Sequence, residues 1–360
     1  MADAVELEQG NAGAPGSKCV SVSDAVAICN EVKQPPNREC VMVQGTCVPF
    51  SVAQELLLEG VKVPDSSMEQ QPSETENVKL VKALLAEAIG TGMIVLFGCG
   101  SVCSTLSGAY SGIWQVAIVW GFGVALAIYS TAEASGAHLN PAITLAFTLV
   151  RPQAHGMTVV KALLYVAAQF AGAILCAAIN LGVFGSTIAA FERKIECVRG
   201  DPCSIKSALA FGEYFPNPGL SVEWGDGPYT QDDVSPLYAC AVEAWGTFIL
   251  AFVIFGITHS RNTVLEAGGG RPGVPFMIGA TVAVLLALYA PITQAGWNPA
   301  RDFGPRIVAA MAGWGSVAIP GPRNGFWIYI VGPCIGGPLG AALAELILWR
   351  PMIKKVEEKV

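Results

Sequence analysis

The tripeptide Asn-Pro-Ala occurs twice, as Asn140-Pro141-Ala142 and Asn298-Pro299-Ala300. Asparagine is a strong helix N-cap, proline is favoured at the first helical position, and alanine continues a helix. The short stretches that follow, residues 143–150 and 301–311, therefore read as half-length helices starting at the two tripeptides. Two side-chain amides held at helix N-termini put N–H donors in a region of positive potential. Such donors suit the oxygen of water or of an uncharged alcohol, and they repel cations. No motif gathers a nucleophile with a base, or paired ligands for a metal, so neither an enzyme nor a cofactor is expected.

Each tripeptide has a carboxylate some fifty residues before it. Ala86-Glu87-Ala88-Ile89-Gly90-Thr91 is echoed by Val242-Glu243-Ala244-Trp245-Gly246-Thr247. The glutamates are offset by 156 positions (243 − 87) and the asparagines by 158 (298 − 140). A carboxylate inside apolar sequence marks function by default. These two read either as a proton relay or as a symmetric structural pair.

Elements long enough to carry this pattern are plain in the charge map. Only 14% of the 360 residues are charged and 52% are hydrophobic, against about a quarter charged in an ordinary soluble domain. Residues 88–132, 162–191, 272–300 and 325–344 are free of charge, and 237–257 holds Glu243 alone. A spanning helix needs about 20 mostly apolar residues. Six are expected, near 80–103, 112–132, 161–184, 237–257, 274–293 and 325–347. An offset of three spans turns the second copy upside down, which places a shared site near the bilayer midplane. The fold class is thus an all-α membrane protein with six transmembrane helices, two re-entrant half-helices and an inverted repeat. Its copies run over about 80–184 and 237–348. The stretches 135–139 and 293–297, extended ahead of the half-helices, could turn carbonyls toward a cavity, the one place where irregular backbone is tolerated at that depth.

Residues 1–78 are different material. Twelve acids against four bases account for the whole net charge of −7, and no basic leader precedes an apolar run. A largely disordered acidic tail is expected, with a short amphipathic helix open to residues 48–61. The acidic pI of about 5.1 excludes a nucleic-acid partner. Cys19, Cys29, Cys40 and Cys47 lack paired zinc spacing. Cys99, Cys103, Cys176, Cys240 and Cys334 sit in or beside spans as small hydrophobes. Cys197 and Cys203 share a polar loop, and a disulfide is open to them if that loop lies outside the cell. Arg151, Lys161, Arg261, Arg271 and the bases after residue 349 place both termini, including the short tail 351–360, in the cytoplasm. His155 and His259 have no visible partner and are assigned no role.

The sequences Ser135-Gly136-Ala137-His138-Leu139-Asn140-Pro141-Ala142 and Asn298-Pro299-Ala300-Arg301-Asp302-Phe303-Gly304-Pro305-Arg306 resemble those of the major intrinsic proteins, the aquaporin family. The resemblance covers about residues 80–350 and is strongest to the glycerol-facilitator branch. Asp302 with Arg306, Ala312-Gly313-Trp314-Gly315 and the loop segment 211–218 match that branch. It implies a plasma-membrane homotetramer with one pore per subunit, passing glycerol, water and other small neutral solutes. It also implies that Glu87, Glu243 and Gln169 support the re-entrant loops, and that His138 offers its backbone to the pore.

The outer filter implied by the resemblance consists of Trp120, Leu286, Ala295 and Arg301. Leu286 and Ala295 stand where the glycerol facilitator has Gly and Phe, so bulk has moved from the loop to the fifth span. Tyr329 and Ile330 depart from the branch's Pro-Leu. Water-selective, urea-permeable or metalloid-permeable variants of such a channel stay open, as do a coupled transporter and a closed-pore structural protein.

Overall fold

The structure is a computed structural model that describes residues 75–350, apart from 224, 268 and 269, together with four strand segments nearer the N-terminus. The chain divides into two compact units, Met1–Thr75 and Glu76–Val360. In the first, β1 (Ala4–Leu7), β2 (Lys18–Ser21), β3 (Cys40–Val43) and β4 (Thr46–Pro49) form an antiparallel sheet in the order β2-β1-β3-β4. These four short strands lie within the stretch expected to be a largely disordered acidic tail. The acidic average conceals short valine-containing tetrapeptides. The helix open to residues 48–61 begins inside β4, and the rest of that stretch lies outside the described residues, as does the tail 351–360.

In the second unit six long apolar helices stand where the charge map puts them. They are α1 (Glu76–Thr105), α2 (Ile113–Ser135), α4 (Val159–Lys194), α5 (Pro236–Ile257), α6 (Gly273–Thr293) and α8 (Ile328–Ala344). Short turns of other helix types extend α8 to a span of Pro322–Trp349. The half-helices are α3 (Pro141–Val150) and α7 (Pro299–Ala309). α4 runs ten residues past its expected end, into Arg193 and Lys194, cations that suit the negative end of a helix dipole. The local starts are orthodox. Ser235 and Thr158 cap α5 and α4, and Gln115 folds back to accept from the Ser111 and Gly112 N–H groups ahead of α2.

Packing follows the inverted repeat. α1 crosses α4 as α5 crosses α8, while each half-helix packs on a span of the other repeat, α3 on α8 and α7 on α4. Both first crossings depend on a glycine. A Cβ at Gly172 of α4 would collide with the Ala88 carbonyl of α1, and one at Gly336 of α8 with the Ala244 carbonyl of α5. Gly121 and Gly279 meet in the same way where α2 crosses α6. In lipid the hydrophobic effect adds little between helices, so such close backbone approach supplies much of the attraction.

Gly172→Val should therefore lower the melting temperature of the purified protein or prevent its assembly, through overpacking of about 1–3 kcal/mol. Gly182→Val, on the same helix where a Cβ would meet nothing within 4 Å, should leave it unchanged in thermal unfolding followed by size-exclusion chromatography.

Candidate functional site

The two half-helices begin nose to nose, and their caps are tied to each other. Asn140 accepts the Ala142 N–H at 2.8 Å and donates from Nδ2 to the Trp297 carbonyl at 2.9 Å. Asn298 accepts the Ala300 and Arg301 N–H groups at 3.1 and 3.2 Å and donates to the Leu139 carbonyl at 2.8 Å. Pro141 and Pro299 occupy the first helical positions, where no N–H is missed. One hydrogen of each asparagine amide is thus spent on the opposite loop, which leaves the second for anything passing between them.

Ahead of each cap the backbone takes left-handed values that no regular element provides: φ is 48° at Ala137 and 50° at Leu139, and 68° at Ala295 and 46° at Trp297. The glutamates hold these turns. Glu87 accepts from Ser135 Oγ (2.7 Å), His138 N (2.9 Å), Leu139 N (2.7 Å) and Gln169 Nε2 (2.7 Å). Glu243 accepts from Thr293 Oγ1 (2.6 Å), Gly296 N (3.1 Å) and Trp297 N (2.8 Å). Both are fully buried. Tyr165 and Tyr329 complete the match by donating to the Ser135 and Thr293 carbonyls at 3.0 and 3.1 Å. The carbonyls of residues 136–138 and 294–296 receive no hydrogen bond from the described residues, so two short acceptor ladders are left over.

A cavity of about 660 Å³ runs past these loops, from Arg151, His155 and Thr258 at one end to Trp120, Leu286, Ala295 and Arg301 at the other. A second hollow, of about 400 Å³, shares Trp120, Leu286 and Arg301 and widens beyond them among Tyr110, Lys206, Asn217 and Gln294. The residues common to both stand where the two cavities meet. There the Arg301 guanidinium lies 4.0 Å from the centre of the Trp120 ring and is ion-paired with Glu213. Sequence reasoning missed Glu213, although it lies in the singled-out segment 211–218. Its N–H donates to Asp302 Oδ1 at 2.7 Å, and its carbonyl accepts from Arg306. Asp302 and Arg306 form a buried pair at 2.8 Å, with Arg306 also donating to the Ala318 carbonyl.

The histidines differ from expectation. The His138 ring stacks on Phe147, and its Nε2 lies 2.9 Å from His155 Nδ1, so His138 contributes a side chain as well as backbone, and His155 has a partner after all. His259 likewise stacks on Trp349 with 4.4 Å between ring centres. Their partners lie in other elements of the chain, which left no local signal. At the same end Arg151 pairs with Glu345 and donates to Thr258 Oγ1 and the Phe255 carbonyl. The Cys197–Cys203 disulfide is formed, and among the described residues no cluster of His, Cys, Asp or Glu suits a metal.

Burial, then Lys161 and Arg151, push the His155 imidazole down to about 4. A histidine held neutral in this way adds stability that is full above its ordinary pKa of about 6.5 and is lost as pH falls toward the folded value. The melting temperature should fall between about pH 6.5 and 5, before most carboxylates titrate, and fall less in His155→Gln, as thermal scans across pH would record.

The family model for the Major intrinsic protein matches residues 74–344. The glycerol uptake facilitator protein of Escherichia coli is 37% identical over 281 residues, covering 76% of this chain and 92% of that protein. The propanediol uptake facilitator PduF of Citrobacter freundii is 38% identical over 275 residues, covering 76% and 94%. The crystal structure of the aquaglyceroporin from Plasmodium falciparum matches with a TM-score of 0.62 at 20% identity, over 75% of this chain and 97% of that one. With inverted repeats, paired half-helices and matching relatives along most of its length, the chain belongs to the major intrinsic protein family.

Proposed function

We propose that the chain is a passive channel that passes glycerol, water and other small uncharged solutes and excludes ions and protons. The observation that carries this reading is the set of residues, Trp120, Leu286 and Arg301, at which the two cavities meet. Trp120 and Leu286 give this meeting point apolar walls, and Arg301 gives it hydrogen-bond donors. A polyol presents C–H groups along one edge and hydroxyls along another, so it fits such a slot in one orientation. Beyond it, the asparagine amides offer donors at the centre and the free carbonyls offer acceptors on either side. Family relatives named as glycerol and propanediol facilitators support the same solute class.

Ions fail for two reasons. Stripping the hydration shell from a small ion costs of order 20 kcal/mol in the idealised limit, and the charges at the site, Arg301 and Glu213, are already paired with each other and offset little of it. Cations and protons also face the positive ends of two half-helix dipoles, the barrier general to such pores. A proton-coupled transporter would need Glu87 or Glu243 free to exchange a proton with solvent. Each is instead buried under three or more hydrogen bonds.

As a setting we propose a homotetramer in the plasma membrane with both termini cytoplasmic. The basic residues Arg151, Lys161, Arg261 and Arg271 support this orientation. It puts the Cys197–Cys203 loop outside, where disulfides persist.

Vesicles containing the protein should shrink and reswell in a glycerol gradient well above the rate of empty vesicles, with no added ion conductance. Stopped-flow light scattering paired with a planar-bilayer recording tests this, and glycerol flux equal to that of empty vesicles would sink the reading. Leu286→His with Ala295→Cys narrows the slot and adds a polar group for water. In that variant glycerol flux should fall at least about tenfold, roughly 1.4 kcal/mol at the barrier, while water flux survives. Unchanged glycerol flux in correctly assembled protein would place the selective step elsewhere.

A further inference from the structure

The Cys197–Cys203 loop does more than cross the surface. Inside it, Arg199 folds back to donate to both oxygens of Glu192, at 2.8 to 3.3 Å, and to the Ala312 carbonyl at 3.3 Å. Its guanidinium lies 4.0 Å from the ring centre of Trp314, which is fully buried. The Trp314 indole donates to Ser207 Oγ at 2.9 Å, and Ser207 donates in turn to Glu192 at 2.8 Å. Gly200 and Gly313, both with positive φ, meet face to face, and a Cβ on Gly200 would sit 3.0 Å from the Gly313 carbonyl. The loop is therefore docked on the far end of the segment that starts with Arg301.

The same block reaches the other half of the filter. Trp314 packs on Phe211 with 5.5 Å between ring centres, and Phe211 is two residues before Glu213, the partner of Arg301. Arg301 and Glu213 thus sit on two separate pieces of chain that the Asp302–Arg306 pair joins beside the filter and that the Trp314–Phe211 contact braces from the side of the loop. Arg199 is the cation that closes this contact, and the disulfide closes the loop that holds Arg199.

We propose that Arg199, presented by the Cys197–Cys203 loop, is a positioning residue that keeps Glu213 set against Arg301, so that opening this disulfide lowers glycerol passage relative to water. The inference rests on the channel reading above. A guanidinium fixed flat against Trp120 leaves a slot of constant shape. One that has lost its carboxylate swings into the slot, and a polyol that must fit in one orientation is hindered more than a water molecule. Reduction needs two electrons from a thiol reagent. A dithiol gives up its two hydrogens to the cystine sulfurs and leaves as its own cyclic disulfide, yielding two cysteine thiols.

The test measures glycerol and water permeability on the same vesicles of full-length protein. In Arg199→Gln, and in Cys197→Ser with Cys203→Ser, the glycerol-to-water ratio should fall at least about threefold. Arg199→Lys, which keeps a cation for Glu192, should restore part of it. A dithiol added to reconstituted wild-type protein should reproduce the fall and have no effect on the double-serine variant. A ratio unchanged by dithiol, with both thiols shown free by alkylation and mass spectrometry, overturns the inference even if the variants fail to assemble. Equal loss of both fluxes overturns it too, because it means general disruption. Wild-type vesicles that pass neither solute would fail the channel reading itself, an outcome separate from these.

Discussion

A chain that turns back halfway across a bilayer must bury backbone N–H groups that no helix satisfies, and everything else here is arranged around that cost. Each unpaired group at such depth costs several kcal/mol. Two glutamates meet it. Glu87 takes the N–H groups of His138 and Leu139, and Glu243 takes those of Gly296 and Trp297. Each carboxylate is anchored in turn by a hydroxyl from the last residue of the span that leads into the loop, Ser135 or Thr293. With the N–H side satisfied internally, the carbonyl side is left for the cavity. Structural demand and conduction are met by one arrangement: the more completely the donors are consumed by the protein, the more purely the exposed wall consists of acceptors.

The inverted repeat extends this economy to the asparagines. Each caps its own half-helix and donates to the other loop, Asn140 to the Trp297 carbonyl and Asn298 to the Leu139 carbonyl. Neither loop can shift alone, so the midpoint is held by both halves of the chain. The glycine crossings at Gly172 and Gly336 have the same character. They set how closely α1 meets α4 and α5 meets α8.

How much of this the residues disclosed beforehand depends on how locally each feature is encoded. The spans were legible because charge is excluded over twenty-residue lengths, and the half-helices because Asn-Pro-Ala is a cap in three residues. Glu87 and Glu243 were legible through their repetition. Glu213 was not, since its significance lies in pairing across eighty-eight positions with Arg301, and nothing near it in sequence marks that (301 − 213 = 88). His155 and Arg199 were hidden for the same reason: their partners, His138 and Trp314, lie in other segments. The sheet in the N-terminal unit was obscured differently. An acidic average over 78 residues conceals tetrapeptides such as Cys40–Val43, whose preference is set residue by residue.

The site proposed as the filter embodies a conflict that the structure resolves with charge. A narrow slot that selects polyols needs strong donors, and arginine supplies more of them than any other side chain. Yet a bare guanidinium in a dry constriction would attract anions, and it would have no fixed place to stand. Glu213 removes the net charge while leaving donors on the remaining nitrogens, and Trp120 presents an aromatic face that holds the plane in place. The carboxylate must itself be held, or it would follow the arginine. Its backbone is pinned on both sides by the Asp302–Arg306 pair, with Asp302 accepting its N–H and Arg306 donating to its carbonyl. Asp302 directly follows Arg301 in the chain, so the residue that supplies the donors and the residue that anchors their counter-charge move as one unit. The selectivity by orientation proposed for this site would require that rigidity, because an amphipathic slot distinguishes a polyol from water only while its two walls keep their separation.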